Sequence, residues 1–186
     1  MEESGWILET DRLHIREIDK SLAQRIMDSV FDDEEFDAYH DALPAAVIQD
    51  AMEDVDSVMA FITSLTSVLE SNDRKQFGAW NQADELVACA CVVDWSTATP
   101  ILEVSVLKEY QRQGIASEFL AALTSWMSGN RNIDHFVYRL RIENLPSEKT
   151  ILRLGGQLQK PKSKIEELNV KTYWLFPGKK KDSARS

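Results

Sequence analysis

Hydrophobic and polar residues alternate over residues 12–18, with Leu13 and Ile15 on one side, and this pattern is typical of a half-buried strand. Similar runs predict further strands at 76–80, 86–94, 101–107, 135–142 and 170–176, with the polar residues 81–84 closing a hairpin between the first two. Apolar residues spaced by three and four predict helices over 19–31, 53–70, 114–127 and 147–154. This order predicts an α/β (α+β) fold class, with a single mixed, mostly antiparallel sheet flanked by helices on both faces.

The chain has the length of one domain. It contains 186 residues, and no internal repeat or linker divides it into two cores. Residues 32–41 are acidic with two aromatic side chains, which indicates a loop or a short helix. We expect the domain to span residues 7–176 and residues 177–186 to form a basic, disordered tail, because residues 179–186 offer almost nothing to bury.

Composition narrows the function classes. The net charge of −10 disfavours nucleic-acid binding, which needs a basic surface for phosphate contacts. No apolar run is long enough to span a membrane, and the first residues are acidic where a secretory signal is basic, so we expect a cytoplasmic protein. Cys89 and Cys91 lie in an apolar run without a second Cys or His cluster, so we expect buried thiols and no metal site.

Charge is distributed unevenly along the chain. Residues 1–106 carry 23 acidic and 6 basic side chains, whereas residues 107–186 carry 8 acidic and 15 basic ones. This asymmetry is consistent with a cationic substrate on one side of a site and a phosphorylated molecule on the other. The alternative is the ordinary surface charge of an acidic intracellular protein.

The segment 101–120 carries the most informative chemistry. A predicted strand runs into a polar turn, and Gly114 stands where a helix is predicted to begin. Glycine allows close approach of a ligand to the backbone, and the free N–H groups of a helix N-terminus favour an anion. Arg112 adds positive charge, while the Lys-Ser/Thr pair of a P-loop is missing. The alternative is a strand-to-helix turn that uses glycine only for its geometry.

The sequence of this turn, Gln-Arg-Gln-Gly-Ile-Ala at 111–116, resembles the acyl-CoA binding motif Gln/Arg-x-x-Gly-x-Gly/Ala of the GNAT acetyltransferases. Residues 141–155 are similar to a second signature of that family, in which a strand ends at an Asn and a helix follows. Residues 8–16 and 53–61 look like the start and the acidic helix of the branch that contains ribosomal-protein N-terminal acetyltransferases. The resemblance covers about residues 7–176.

The resemblance implies a GNAT-like acyl-CoA N-acyltransferase fold and an acetyl-CoA donor. Backbone groups of Val104 and Val106 would pair with the pantetheine arm, and Asn144 would bond its far end near the thiol. Backbone N–H groups would hold the pyrophosphate at Gln111, Arg112, Gln113, Gly114, Ile115 and Ala116. The implied reaction is direct attack of an amine on the thioester, which needs a base, an oxyanion donor and an acid for the leaving thiolate.

The catalytic residues are less clearly marked, because the chain departs from the family pattern. Ile151 stands where many members carry a Tyr acid, and Gly156 replaces the usual aromatic residue. Ser147, three residues after the Asn, is a candidate acid, with a helix-capping Ser as the alternative.

Glu103 is the candidate base, with a solvated strand carboxylate as the alternative. Arg139 stands where some relatives have a basic carboxylate. We expect His14, His40 and His135 to be structural or surface residues.

Three functions therefore compete. The first is an N-acetyltransferase that acts on a protein N-terminus or a small cationic amine, with the acidic residues of 32–37 attracting the acceptor. The second is a catalytically silent acyl-CoA-binding or scaffold module, and the third is an interaction protein with no affinity for CoA. We expect an amine acceptor as partner, no nucleic acid or membrane, and a monomer or homodimer.

Overall fold

The strands form one mixed sheet in the computed structural model, which describes residues 6–23, 73–164 and 169–178. The elements are β1 (Leu8–Glu9), β2 (His14–Ile18), β3 (Arg74–Trp80), β4 (Leu86–Val93), β5 (Ile101–Val106), α1 (Ile115–Asn130), β6 (Phe136–Arg141), α2 (Leu145–Arg153), β7 (Gln157–Leu158) and β8 (Val170–Leu175). The eight strands lie in the order β1-β2-β3-β4-β5-β6-β8-β7, and every neighbouring pair is antiparallel except β5 and β6. The predicted mixed, mostly antiparallel sheet is confirmed.

Most predicted elements are confirmed within one to three residues at their ends. The predicted hairpin is the antiparallel pair β3–β4. The sequence did not predict β1 and β7, because two-residue strands carry no alternating pattern. Residues 20–23 are helical, as predicted. The rest of the helix over 19–31, the acidic segment 32–41, the helix over 53–70 and the tail from 179 onwards lie outside the described residues.

Apolar side chains cover both faces of the sheet. The larger cluster packs α1 and α2 on one face through residues such as Phe119, Leu123 and Ile151, which meet Leu102 and Phe136 of the strands. This burial follows from the predicted apolar stripe of α1.

A smaller cluster on the other face joins Ala23 of the helical residues to Ile18, Trp80, Leu86 and Cys89. Both cysteines are buried and unpaired, which confirms the expected buried thiols. In the parts of the chain that the structure describes, no helix is long and apolar enough to span a membrane.

The one parallel contact of the sheet ends early and leaves a gap. Strands β5 and β6 pair only at Ile101 with Val137 and at Leu102 with Tyr138. Strand β5 continues alongside β4 as far as Val106, which lies opposite Ala88. From residue 103 onwards, the edge of β5 that faces β6 is therefore not occupied by β6. An opening therefore begins at this point between two strands of one sheet.

Candidate active site

Side-chain hydrogen bonds hold the polar turn after β5 against the end of that strand. Gln111 Nε2 donates to the Val106 carbonyl at 3.1 Å, and Gln113 Nε2 donates to the Glu109 carbonyl at 2.9 Å. The hydroxyl of Tyr110 donates to Glu85 at 2.7 Å, which ties the turn to the β3–β4 hairpin. Burial, together with the neighbouring negative charge, raises the pKa of Tyr110 to about 12, so its hydroxyl remains a donor. The turn is held before any ligand arrives.

Positive backbone φ angles shape the end of this turn. Arg112 has φ 62° and Gly114 has φ 83°. Among the described residues, a Cβ atom added to Gly114 would meet only Arg12 Nη2, at 3.6 Å, so the φ angle rather than crowding accounts for glycine here. The predicted role of Gly114 at the helix start is confirmed, since it is the N-cap of α1.

The N-terminus of α1 is suited to hold an anion. The N–H of Glu118 makes the first bond of the helix, to the Gly114 carbonyl at 3.1 Å. The N–H groups of Ile115, Ala116 and Ser117 precede it and have no carbonyl partner within the helix. These donors and the positive end of the helix dipole lie beside the exposed Arg112.

A cluster of Thr10, Arg12 and Glu118 fixes this helix terminus to the start of the chain. Arg12 Nε donates to Glu118 Oε2 at 2.6 Å, and Arg12 Nη1 donates to the Gln113 carbonyl at 2.9 Å. Thr10 Oγ1 donates to Glu118 Oε1 at 2.6 Å. Burial raises the pKa of Glu118, but the bonds from Thr10 and Arg12 outweigh burial, and the net shift is downward.

Sequence reasoning missed this cluster, although Thr10 and Arg12 belong to the segment 8–16 that carried the family resemblance. The resemblance of that segment is the signal that could have pointed to the cluster, because a Thr and an Arg just before a strand are both able to donate hydrogen bonds to an acidic partner. The partner, Glu118, lies more than a hundred residues further along the chain, so spacing alone could not identify it.

Along the open edge of β5, apolar and polar side chains alternate. Val104 and Val106 are half-buried and pack against the main core, whereas Glu103 and Ser105 are exposed. The negative charge of Glu103 contributes, after burial, to raising the pKa of both Cys91 and Tyr138. Glu103 is also the first β5 residue beyond the pairing with β6, so it lies where the opening begins.

At the other side of the opening, Asn144 is the N-cap of α2. Its side-chain oxygen accepts a hydrogen bond from the Ser147 backbone N–H at 3.1 Å. The alternative that Ser147 caps the helix is wrong, because the cap is Asn144. The Ser147 hydroxyl instead lies 3.1 Å from the hydroxyl of Tyr138, the last β6 residue paired with β5. Sequence reasoning missed Tyr138, whose place in an alternating strand looks like an ordinary core position.

Helix α2 is tied to the sheet by a second contact. Lys171 Nζ donates to both oxygens of Glu148, at 2.7 and 2.9 Å, and Tyr173 donates to Glu148 Oε1 at 2.5 Å. Hydrogen bonds from Lys171 and Tyr173 hold the pKa of Glu148 below its usual value.

Packing on the inner side of α2 explains one departure from the family pattern. Ile151 is fully buried there. A Cβ atom at Gly156 would lie 2.6 Å from Ile151 Cγ1 and 2.8 Å from its carbonyl oxygen. The site has no room for an aromatic side chain at position 156.

The remaining candidates do not form a site of their own. His14 packs against Trp6, and His135 stacks on Trp174 with ring centroids 4.2 Å apart. Both agree with the expected structural or surface role, while His40 lies outside the described residues. Among the residues that the structure describes, no three His, Cys, Asp or Glu side chains come together as metal ligands.

Solved structures similar to this one are acetyltransferases. The ribosomal-protein alpha-N-acetyltransferase RimL in complex with coenzyme A is 18% identical and has a TM-score of 0.63, with 92% of this chain and 98% of that chain covered. An acetyl transferase from Salmonella typhimurium that modifies the N-terminal serine of a 50S ribosomal protein is 17% identical, with TM-score 0.61 and 91% and 97% coverage. A spermidine N-acetyltransferase chimera from Vibrio cholerae and hSSAT is 12% identical, with TM-score 0.58 and 88% and 95% coverage. At these identities the likeness shows the fold.

Sequence comparison supplies the family. No sequence among the curated proteins is a match for this chain. The profile of the acetyltransferase (GNAT) domain, however, matches residues 12–157, which is most of the chain and includes β2 to β6, the turn at 111–116 and α2. The expected fold and the predicted resemblance are both confirmed, and the chain belongs to the GNAT family of acetyltransferases.

Proposed function

We propose that this protein transfers the acetyl group of acetyl-CoA to a primary amine by direct attack of the amine on the thioester. The observation that carries the proposal is the continuity of two features. The open edge of β5 leads directly into a turn that ends at the N-terminus of α1. One extended, phosphorylated molecule can therefore bond to both the strand edge and the helix terminus.

The donor is assigned to this edge and turn. Backbone groups of Val104 and Val106 hydrogen-bond the pantetheine arm as an added strand, in the place that β6 leaves open. The N–H groups of residues 111–116 and the charge of Arg112 hold the pyrophosphate. Because the side-chain oxygen of Asn144 already accepts from Ser147, its amide N–H donors are the groups left to bond the end of pantetheine.

Two residues flank the reacting end of the donor. Ser147 donates a hydrogen bond to the leaving thiolate, and Glu103 receives the proton of the attacking amine, directly or through water. Their placement supports these roles, since the Ser147 hydroxyl bonds Tyr138, the last β6 residue paired with β5, and Glu103 is the first β5 residue beyond that pairing. As the C–N bond forms and the C–S bond breaks, the proton lost by the amine balances the proton gained by sulfur.

The acceptor is a primary amine, either a protein N-terminus or a small cationic amine. Similar structures include enzymes whose names specify a ribosomal-protein N-terminus and spermidine. The excess of acidic residues in 1–106 favours a cationic acceptor. The patch formed by Asp32, Asp33, Glu34, Glu35 and Asp37 lies outside the described residues, so its part in attraction stays a prediction. So do the cytoplasmic location, the domain limits and a monomeric or homodimeric state.

An amine panel tests this function. The protein is incubated with acetyl-CoA and either spermidine or peptides with a free N-terminus, and free thiol release and the mass of the product are measured. We expect one acetyl group on the amine, with one thiol released for each. For a cationic acceptor, kcat/KM should fall as salt rises, because exposed charges act over a Debye length of about 8 Å at physiological ionic strength. Acetyl-CoA binding without turnover of any amine would indicate the silent module, and no acetyl-CoA binding would indicate an interaction protein.

A further inference from the structure

Two buried tyrosines lie side by side beneath helix α2 and contact adjacent residues of it. Tyr138 of β6 and Tyr173 of β8 are direct cross-strand partners, and their exposed fractions are 3% and 1%. The hydroxyl of Tyr138 meets Ser147 at 3.1 Å, and that of Tyr173 meets Glu148 at 2.5 Å. Glu148 also binds Lys171 and has an evident structural task. The Tyr138–Ser147 contact has no such explanation.

The Ser147 hydroxyl is not needed to hold the helix. Asn144 satisfies the backbone N–H of Ser147, and within the described residues Tyr138 is the side chain that bonds its hydroxyl. Ser147 is half-buried at the opening, whereas Tyr138 is buried behind it. The Ser147 hydroxyl therefore contacts Tyr138 on its buried side, and its exposed side remains available to the site.

The geometry allows either hydroxyl to donate, and the greater acidity of a phenol favours Tyr138 as the donor. Burial raises the pKa of Tyr138 and the charge of Glu103 adds to this, although the bond with Ser147 opposes it. Tyr138 therefore keeps its proton at neutral pH, and a phenol is the stronger donor of the two. When Tyr138 donates to Ser147 Oγ, the hydrogen of Ser147 must point to another acceptor.

We propose that Tyr138 is a positioning residue that donates to Ser147 Oγ and directs the Ser147 hydrogen at the sulfur of the leaving thiolate. The inference rests on the proposed function, in which Ser147 serves the thiolate. Tyr138 itself gains and loses no proton. Ile151, which occupies the position of the family's Tyr, is fully buried on the inner side of α2 and offers no donor. In this chain Ser147 supplies the donor instead, and the buried phenol of Tyr138 on the sheet orients it.

A double-mutant cycle with a matched control tests this role. Tyr138→Phe removes one hydroxyl and keeps the ring in the core, and Tyr173→Phe does the same to the neighbouring bond of the same helix. We expect Ser147→Ala to lower kcat by about 10²-fold, the lower end of the range for a positioned proton donor. Tyr138→Phe should lower kcat by about tenfold, which corresponds to one neutral hydrogen bond. It should leave the acetyl-CoA Kd and the amine KM within about twofold.

The combination of the two changes separates positioning from stability. Adding Tyr138→Phe to Ser147→Ala should lower kcat no further, because Tyr138 acts only through Ser147. Tyr173→Phe should lower Tm at least as much as Tyr138→Phe does, yet keep kcat within about twofold. A full additive loss in the double variant, a parental kcat in Tyr138→Phe, or an equal loss of kcat in Tyr173→Phe would overturn the proposal.

A second readout does not depend on turnover. A directed Ser147 hydrogen lowers the pKa of the thiol of bound CoA, which thiolate absorbance measures across a pH titration. Tyr138→Phe and Ser147→Ala should both raise this pKa towards that of free CoA, and Tyr173→Phe should not. If the parent binds CoA but acetylates no amine, the proposed function fails while this titration still decides the role of Tyr138. An unchanged thiol pKa in Tyr138→Phe would contradict it.

Discussion

Replacing Glu118 by Gln should loosen the helix terminus that we assign to the pyrophosphate. The carboxylate accepts from Thr10 Oγ1 at 2.6 Å, from the Arg12 backbone N–H at 3.3 Å and from Arg12 Nε at 2.6 Å, and it is also ion-paired with Arg12 Nη2. An amide keeps one acceptor oxygen and turns the other into a donor. It therefore places a donor against either the Arg12 backbone N–H or Arg12 Nε, neither of which can accept a hydrogen bond.

The expected loss can be estimated from these contacts. Hydrogen bonds to a charged group contribute about 1.5–3 kcal/mol. The Arg12 side chain is 47% exposed, against 21% for Glu118, so solvent screening reduces the ion-pair part. A net loss of about 1–2 kcal/mol follows. In a domain of this size each kcal/mol corresponds to about 2–4 °C in Tm.

The lowered pKa of Glu118 determines how this stabilisation depends on pH. Because the folded-state pKa of Glu118 is lowered, its charge stabilises the fold above the unfolded pKa of about 4.3, and this contribution disappears as pH falls through the folded-state value. Thermal unfolding of parent and variant should therefore differ at pH 7 and converge under acidic conditions. Glu109→Gln, an exposed carboxylate in the same turn, is the control and should have no comparable effect. A Tm of Glu118→Gln equal to that of the parent at pH 7, or a difference that persists at acid pH, would refute the reasoning.

Two further predictions concern packing. Gly156→Ala should destabilise the fold by about 1–3 kcal/mol, because its Cβ would lie 2.8 Å from the Ile151 carbonyl oxygen. Gly129→Ala, whose added Cβ would meet no described atom within 4 Å, should be neutral or stabilising by up to about 1 kcal/mol; equal changes of Tm in the two variants would argue against the close packing of Gly156. Burial raises the pKa of Cys89 to about 12 and that of Cys91 to about 11, so a thiol reagent at pH 8 should label the denatured protein rapidly and the native protein slowly. Rapid native labelling would place these thiols outside the core.

Local patterns were enough to predict most of the fold. Alternation in β2 and β6, the continuous apolar run of β4 and the apolar stripe of α1 predicted these elements, because β2, β6 and α1 each bury one face and β4 is buried on both. The short strands β1 and β7 depend on partners far along the chain, which a local pattern does not record. The early end of β5–β6 pairing was likewise outside the reach of the sequence pattern, since both strands continue to alternate beyond it.

The residues of the candidate site, like the elements of the fold, could be predicted from the sequence only in part. Gly114 could be predicted as the start of α1 because its spacing and its neighbours define a strand-to-helix turn. Asn144 and Ser147 could be located, but their roles were not resolved, because only the structure shows which atom caps the helix. Tyr138, Thr10 and Glu118 are linked to the site by contacts between distant segments. A single sequence carries no record of such pairs.

Acetyl-CoA binding by the parent, Gly114→Asp and Gly129→Asp tests the central claim most directly, with isothermal calorimetry as the measurement. Asp at position 114 would place a side chain and a negative charge at the N-terminus of α1, where we assign the pyrophosphate, whereas Gly129 lies near the opposite end of the same helix. The account predicts tight binding by the parent and by Gly129→Asp, and a loss of at least about tenfold in Gly114→Asp, equivalent to about 1.4 kcal/mol. Far-UV circular dichroism confirms that both variants are folded. Equal affinity of Gly114→Asp and the parent would contradict the assignment of this helix terminus to the donor.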